Sequence, residues 1–520
     1  MKTLNLNSVV FLIGVLAAST SLVLGDLSFT DITLSSGLQG AGAPNPGEHG
    51  IAWGDVTLDG RPDIYVPITT AKEQGTEPDL FFRNLGNNLF IEEAKLRGID
   101  DVDGGSHGGI WADLDNDGDF DLVNATTRER KWTQPHPHKY PGHNNIYRND
   151  GNGFFSDVTP LSIKKIKQGS RGLNAFDMDK DGNLDLFFVN GHAGSRGEVN
   201  PDKNEIYRND GNFNFTAFTS GVAVTCPAGQ GSIDTDWDMD GDMDLIACNR
   251  SGILNMLRNN GGVNNFSLIQ PSSIGIDDTH RGGDGVTSAD IDNDNDIDLL
   301  LVARPIKGPD RKWRKAHLYK NDGDGTFTYQ RTFTGLDGFM GSFVDLDNDG
   351  DLDLLFAGEK VCYLNDGSGH FSTGQKIPIE GINDPRSVAC ADIDNDGDMD
   401  FIYSARESRN FLYRNDYTGS NKWLKVRLIA KNGQAGAFGS KVKIYAAGQA
   451  GARFLGFREA KSCYGYMAQD DPILHFGLGS HSLVDLMVEF LDGTKMVVKN
   501  VCANQTITIS GHSGHDGRLK

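Results

Sequence analysis

Carboxylates recur along this chain at spacings that let one short loop wrap a hard cation. The pattern is an acidic nonapeptide with aspartate at positions 1, 3, 5 and 9 and a glycine at position 6, and it occurs seven times. Its copies supply Asp55, Thr57, Asp59 and Asp63; Asp113, Asp115, Asp117 and Asp121; Asp177, Asp179, Asp181 and Asp185; Asp236, Asp238, Asp240 and Asp244; Asp290, Asp292, Asp294 and Asp298; Asp345, Asp347, Asp349 and Asp353; and Asp392, Asp394, Asp396 and Asp400. Calcium accepts about 6–8 oxygens at roughly 2.3–2.6 Å, and four side chains with the backbone carbonyl of position 7 meet most of that demand. An EF-hand opens the same way but closes with a bidentate Glu at position 12 between helices. Here position 12 is apolar or small, as at Asn124, Phe188 and Leu301, and the last carboxylate arrives at position 9 on the threshold of an apolar run. Like charges in a block otherwise repel and disorder a chain, so the copies read as metal loops for up to seven Ca²⁺ ions.

The copies are not equivalent. The first carries Thr57 where the others have aspartate, which replaces an anionic ligand with a neutral hydroxyl and marks it as the weakest site. The fifth has Asn295 in place of the turn glycine, and asparagine is the non-glycine residue that best tolerates a left-handed backbone. Lys180 and Asn183 in the third fall at positions 4 and 7, where no side-chain ligand is required.

Successive copies start 47 to 64 residues apart, a period of propeller blades rather than of coiled coils. Between them returns a second signal, an apolar or aromatic residue, usually a basic one, then Asn and mostly Asp-Gly, as in IYRNDG at Ile146 and at Ile206. That is a strand ending in a hairpin turn. A Phe-led strand follows most of these turns, and a short small-residue strand precedes each acidic loop. Four strands per repeat make a blade, and the expected fold is all-β: a seven-bladed β-propeller followed by a small C-terminal β domain. The seventh repeat lacks its Phe-led strand, and FTDIT at Phe29 is a near copy of FSDVT at Phe155. The N-terminal strand is therefore expected to complete the seventh blade and leave no open edge. The expected boundaries are a signal peptide over 1–25, the propeller over 26–416, the β domain over 417–511 and a tail over 512–520.

At these residues the chain resembles a known family. The acidic repeats are similar to FG-GAP/VCBS-type calcium-binding repeats, found in integrin α-subunit propellers and in many secreted bacterial proteins. The C-terminal part, with NKWLKVRL at Asn421, GSKVKIYA at Gly439 and HFGLG at His475, resembles the ASPIC/UnbV domain. The two together resemble the cartilage acidic protein (CRTAC-like) family. That resemblance implies secretion, calcium binding and matrix or surface interactions, and it transfers no catalytic residues. Cys463 and Cys502 depart from the family pattern.

The signal-like start has one basic residue, Lys2, and an apolar core from Val9 to Ala18, too short for a membrane span. An extracellular address, or a periplasmic one in a bacterium, is the expectation, with no membrane span. Six cysteines fit an oxidising compartment and permit 15 pairings. The sequence-near choices are Cys226 with Cys248, Cys362 with Cys390, and Cys463 with Cys502, the last being favoured because the two are alone in the small domain. The net charge of −22 is less than the 32 aspartates of the seven loops, so the acidity belongs to metal sites. It argues against a nucleic-acid partner.

Two long loops joining second and third strands carry basic and aromatic residues: Arg128, Arg130, Lys131 and Trp132 in one, Arg311, Lys312, Trp313 and Arg314 in the other. They are expected on the face opposite the metal loops, as a site for an anionic glycan or an extracellular protein. Residues six before each acidic motif, among them His107, Arg171, Gln230, Asp284, Phe339 and Arg386, are expected at the channel on that face. Zinc at His136, His138 and His143 is a lesser possibility. No nucleophile elbow, Walker loop or HExxH is present, and the expectation is a non-catalytic binding module. The alternative is a calcium-dependent polysaccharide lyase or another glycan-processing enzyme.

Overall fold

The computed structural model of the chain describes residues 27–38, 50–68, 71–72, 75–76, 78–101, 105–126, 143–165, 169–191, 203–226, 228–249, 252–280, 283–303, 313–406 and 408–512. The expected signal peptide lies outside them. The architecture is all-β. Among the described residues between Phe29 and Asn415, seven antiparallel sheets each take four strands from this region, and a two-stranded sheet pairs Ala71–Lys72 with Gly75–Thr76. Every second strand begins at position 9 of an acidic loop, at Asp63, Asp121, Asp185, Asp244, Asp298, Asp353 or Asp400. These strands are buried along their length, as in Asp298–Ala303, which is why they read as unbroken apolar runs rather than as alternations. The outermost strands bury their leading phenylalanine and turn later residues to solvent, as in Phe155–Asp157.

The innermost strands, Ile51–Gly54, Ser106–Ala112, Ser170–Phe176, Ser232–Thr235, Gly285–Ala289, Gly341–Val344 and Pro385–Ala391, pack side by side in chain order, and the last returns to the first. The N-terminal strand Phe29–Asp31 pairs antiparallel with Phe411–Asn415 in the register Phe29↔Asn415 to Asp31↔Tyr413. Phe29 meets Phe401 edge-on with centroids 5.2 Å apart. The clasp expected from the sequence is thus present.

The C-terminal domain packs a three-stranded sheet of Leu474–Gly479, Lys422–Ile429 and Gln505–Ser510 against a four-stranded one of Phe454–Glu459, Lys441–Ala446, Leu483–Glu489 and Lys495–Cys502. Its segment from Lys461 to Asp471 takes a role that the sequence does not announce. It enters the space enclosed by the seven inner strands. Ala468–Gln469 adds a parallel strand to Ile51–Ala52, and the Gln469 amide both accepts from Trp111 N and donates to Trp111 O, at 2.8 and 2.9 Å. Ser462 Oγ donates to Asp234 and accepts from Ala175 N. Lys461 Nζ donates to Ser288 O, Ser387 Oγ donates to Tyr466 O, and Asp470 accepts from Ser342 Oγ and Cys390 N. One segment therefore bonds directly to all seven inner strands. The passage is tight: a Cβ on Gly231 would lie 3.0 Å from both Gly465 O and Tyr466 Cα.

The expected disulfides are absent, and all six cysteines are free thiols. Cys463 is buried in the plugging segment, with its thiol toward the carbonyls of Gly465 and Ala468, whereas Cys502 is exposed at a strand end. Cys226 and Cys248 belong to separate apolar clusters. Cys362 and Cys390 share one cluster, but the Cys390 thiol faces Ser342 Oγ and the Cys362 thiol faces Gln375 O.

Candidate metal centres at a domain interface

Each acidic loop is held by its own backbone. Position 4 is left-handed in all seven copies (Leu58, Asn116, Lys180, Met239, Asn293, Asn348 and Asn395), and so is position 6, including Asn295 at φ 77°. Asn295 thus replaces glycine as expected. The left-handed demand at position 4 was missed, although asparagine in four of the seven copies signalled it. Position 1 caps the loop: Asp177 Oδ1 and Oδ2 accept from Asp181 N and Gly182 N, and Asp345 Oδ2 accepts from Gly350 N at 3.0 Å.

Position 9 is a strut. Asp121 accepts from Leu114 N and Asn149 N, both at 3.0 Å, and Asp353 accepts likewise from Leu346 N and Asn365 N. The asparagine it holds is the residue of the Arg-Asn-Asp signal, and its role was not read from the sequence. Its Nδ2 donates to the position-2 carbonyl of the preceding repeat: Asn149 to Val56, Asn209 to Leu114, Asn259 to Met178, Asn321 to Trp237, Asn365 to Ile291 and Asn415 to Leu346. Asn84 donates to Ile393 of the seventh loop at 2.9 Å, which completes the circuit. Seven in-phase asparagines were the available signal.

Position 3 tests whether a cation fits. In the six loops that carry aspartate there, one oxygen (Oδ1 of Asp115, Asp179, Asp238, Asp292, Asp347 and Asp394) is buried with no hydrogen-bond partner. Oδ1 of position 1 is in the same state at Asp113, Asp236, Asp345 and Asp392. Oxygens of Asp113, Asp115 and Asp121 lie within 4.8 Å of one another, as do those of the equivalent triads in the third, fourth and sixth loops and of Asp290, Asp292 and Asp294. Unpaired buried carboxylate oxygens are costly, and a converging set of them suits a hard divalent cation. The first loop differs: Thr57 Oγ1 donates to Asp63 Oδ2 at 3.2 Å, and Asp59 is paired with Arg61.

Burial drives these carboxyls toward their neutral form. It raises Asp113, Asp177 and Asp290 to about 7, Asp185 to about 8 and Asp298 to about 9, with neighbouring aspartates adding to the effect. Some loops draw cations from the protein. Arg208 reaches Asp179 and Asp181, Arg258 reaches Asp238, and Lys320 reaches Asp292.

The C-terminal domain sits on this face, with hydrogen bonds or ion pairs to six of the seven loops. Arg427 meets Asp55 at 3.1 Å and Lys425 meets Asp392 at 2.6 Å, while Lys441 pairs with Asp236. Ala435 N donates to Asp113 Oδ2 at 2.7 Å, Asn432 Nδ2 to Gly182 O and Asn421 Nδ2 to Asp347 O. In the HFGLG stretch, burial lowers His475 to about 3, so the neutral ring donates Nε2–H to Gly397 O at 3.0 Å. A Cβ on Gly477 would overlap Asp345 Oδ2.

Of the expected ligand-face residues, Arg128, Arg130, Lys131, Trp132, Arg311 and Lys312 lie outside the described residues, as do His136 and His138. Trp313 is 41 % exposed. Arg314 does not face a ligand: its guanidinium is buried, 2.6 Å from Asp284 Oδ2 and stacked 3.5 Å over the Phe339 ring. The expected channel mouth is occupied from within, since Tyr466 of the plug packs on Phe339 at 4.9 Å and on His107 at 6.2 Å.

The FG-GAP-like repeat family matches residues 138–188, 236–301 and 345–403, and the ASPIC and UnbV family matches 430–516. The chain is an FG-GAP-like repeat protein with an ASPIC and UnbV domain. Cartilage acidic protein 1 of Mus musculus is 27% identical over 256 residues, covering 48% of this chain and 36% of that protein. The Homo sapiens protein of the same name is 27% identical over 249 residues, covering 46% and 34%. The repeats and the C-terminal domain together are similar to these cartilage acidic proteins, and the match spans about a third of those relatives' length. A solved structure of BBS1N in complex with ARL6DN aligns with TM-score 0.42 and 9% identity over 73% of this chain and 95% of that one, a likeness too low to carry an argument. No helix among the described residues is long and apolar enough to cross a membrane.

Proposed function

We propose that the chain is a secreted calcium-binding protein whose seven sheets close a seven-bladed β-propeller, and that it acts as a non-catalytic extracellular module binding a matrix protein or an anionic glycan. The observation that carries the calcium reading is the partnerless buried position-3 oxygen, present in every loop with aspartate at that position and missing from the one with threonine. Positions 1, 3, 5 and 9 with the position-7 carbonyl would hold the ion. An all-oxygen, strongly anionic set in a flexible loop suits Ca²⁺ better than the rigid octahedron that Mg²⁺ demands. The bound ion supplies charge neutralisation and loop order. The relatives' name supports a matrix address, and free thiols are compatible with it: burial raises Cys226, Cys362 and Cys463 to about 12, far from the thiolate that oxidants attack.

Because the acidic face is taken by the chain's own domain, a partner is assigned to the opposite face, where Trp313 offers an exposed ring for stacking on a sugar or an apolar side chain. Calorimetric titration with Ca²⁺ and Mg²⁺, followed by a glycan and matrix-protein array, tests both parts. Saturable calcium binding at about 10⁻⁴–10⁻³ M or tighter is expected, and Trp313→Ala together with raised salt weakens any ligand the array finds. Failure to bind calcium sinks the metal reading, and unchanged affinity in Trp313→Ala moves the ligand site elsewhere.

A further inference from the structure

We propose that metal loading of the acidic loops and seating of the C-terminal domain form one linked equilibrium, in which the divalent ion latches the plug in the channel. The proposal rests on the calcium reading above and extends it to what the ion controls.

The link is made inside single carboxylates. Asp236 turns Oδ2 to Gly241 N and to Lys441 of the C-terminal domain, while its Oδ1 has no partner. Asp392 does the same, with Oδ2 taken by Gly397 N and Lys425 Nζ. Asp113 Oδ2 takes Gly118 N and Ala435 N, again leaving Oδ1. One oxygen is dressed by the loop and the docked domain, and the other faces the place where an ion fits.

Several other docking contacts go to loop carbonyls whose direction depends on the left-handed turns. Asp347 O and Asn348 O accept from Asn421 Nδ2 and Gly479 N, and Gly397 O accepts from His475. A loop of five aspartates does not hold that turn without a counter-ion. An ion that fixes the turn therefore presents the seat the domain needs, and the docked domain holds the turn the ion needs; the coupling is positive and reciprocal. Repulsion between the ion and a lysine on the same carboxylate acts the other way. It is the smaller effect, because the seventh loop's five aspartates remain net negative after taking one divalent ion.

The test uses the full chain. Hydrogen exchange over 461–471 and trypsin cleavage after Arg458 and Lys461 are compared in 1 mM calcium and in chelator, below the melting transition. Chelation is expected to raise exchange in the plug about tenfold or more while Asp298–Ala303 stays protected. Calcium binding with unchanged plug exchange overturns the linkage and leaves the calcium reading standing; absence of calcium binding overturns both. Tyr466→Ala provides the reverse measurement, since Tyr466 packs at the far mouth, on Phe339 and His107. Weaker calcium binding by about fivefold or more is expected there, and unchanged affinity with a loosened plug overturns the proposal.

Discussion

The first and sixth acidic loops are written in similar nonapeptides and solve their charge problem in different ways. In the first, protein groups do it: Thr57 donates to Asp63, Arg61 pairs with Asp59, and Arg427 reaches Asp55, both of whose oxygens are also capped by loop amides. In the sixth, Oδ1 of Asp345 and of Asp347 face nothing, and burial pushes Asp345 and Asp353 well above the usual carboxylate range. The basic residue that precedes the strut asparagine elsewhere, as in Arg208, Arg258 and Lys320, is Leu364 in this repeat. Charge that the fold does not balance internally is left for an ion.

The largest expected effect is on the whole molecule. Each occupied loop contributes about 1.4 kcal/mol at ten times its Kd, so millimolar calcium raises the melting temperature strongly. In chelator, stability falls as pH rises. The raised carboxyls, Asp177 to about 7 and Asp185 to about 8, hold protons more tightly folded than unfolded. Their contribution is complete below about pH 4 and lost by about pH 8. Melting curves from pH 5 to 8 in chelator check the downward slope, which calcium flattens; a rising slope without metal would contradict it. Within the comparison, Asp347→Ala lowers calcium affinity at its site by about tenfold or more, whereas Thr57→Ala changes binding less than about twofold; calorimetry on the two variants distinguishes them. Leu364→Arg places a cation beside the sixth loop. It stabilises the metal-free protein by about 0.5–1 kcal/mol and narrows the gap between melting in chelator and in calcium. Comparable in size is Leu58→Asn in the first loop. Leu58 is 49 % exposed at φ 56°, so relief of the left-handed strain gains about 0.5–1 kcal/mol, read by urea denaturation.

Much of this was legible because repetition amplifies local chemistry. Seven copies set strand order, loop ends and the N-terminal clasp, and Thr57 declared the odd loop. The features that stayed hidden depend on contacts between distant segments. Nothing local to residues 461–471 says that they enter the space between seven inner strands, and Arg314 looked like part of a basic loop until Asp284 and Phe339 were placed beside it. The strut asparagines were visible but read only as turn formers, since their bond to the neighbouring repeat exists only once the sheets stand side by side. The cysteine pairs failed for the same reason: nearness in sequence did not put two thiols in one place.

The clasp sets a clock on synthesis. Thr30 and Asp416 stand 386 residues apart in the chain yet are hydrogen-bonded where the first and last strands of the ring pair. At about 5–20 residues per second on the ribosome, that separation is roughly 20–80 s. Throughout that interval the strand that Phe29–Asp31 pairs with is not yet made, and an unpaired strand edge is a template for association with another chain.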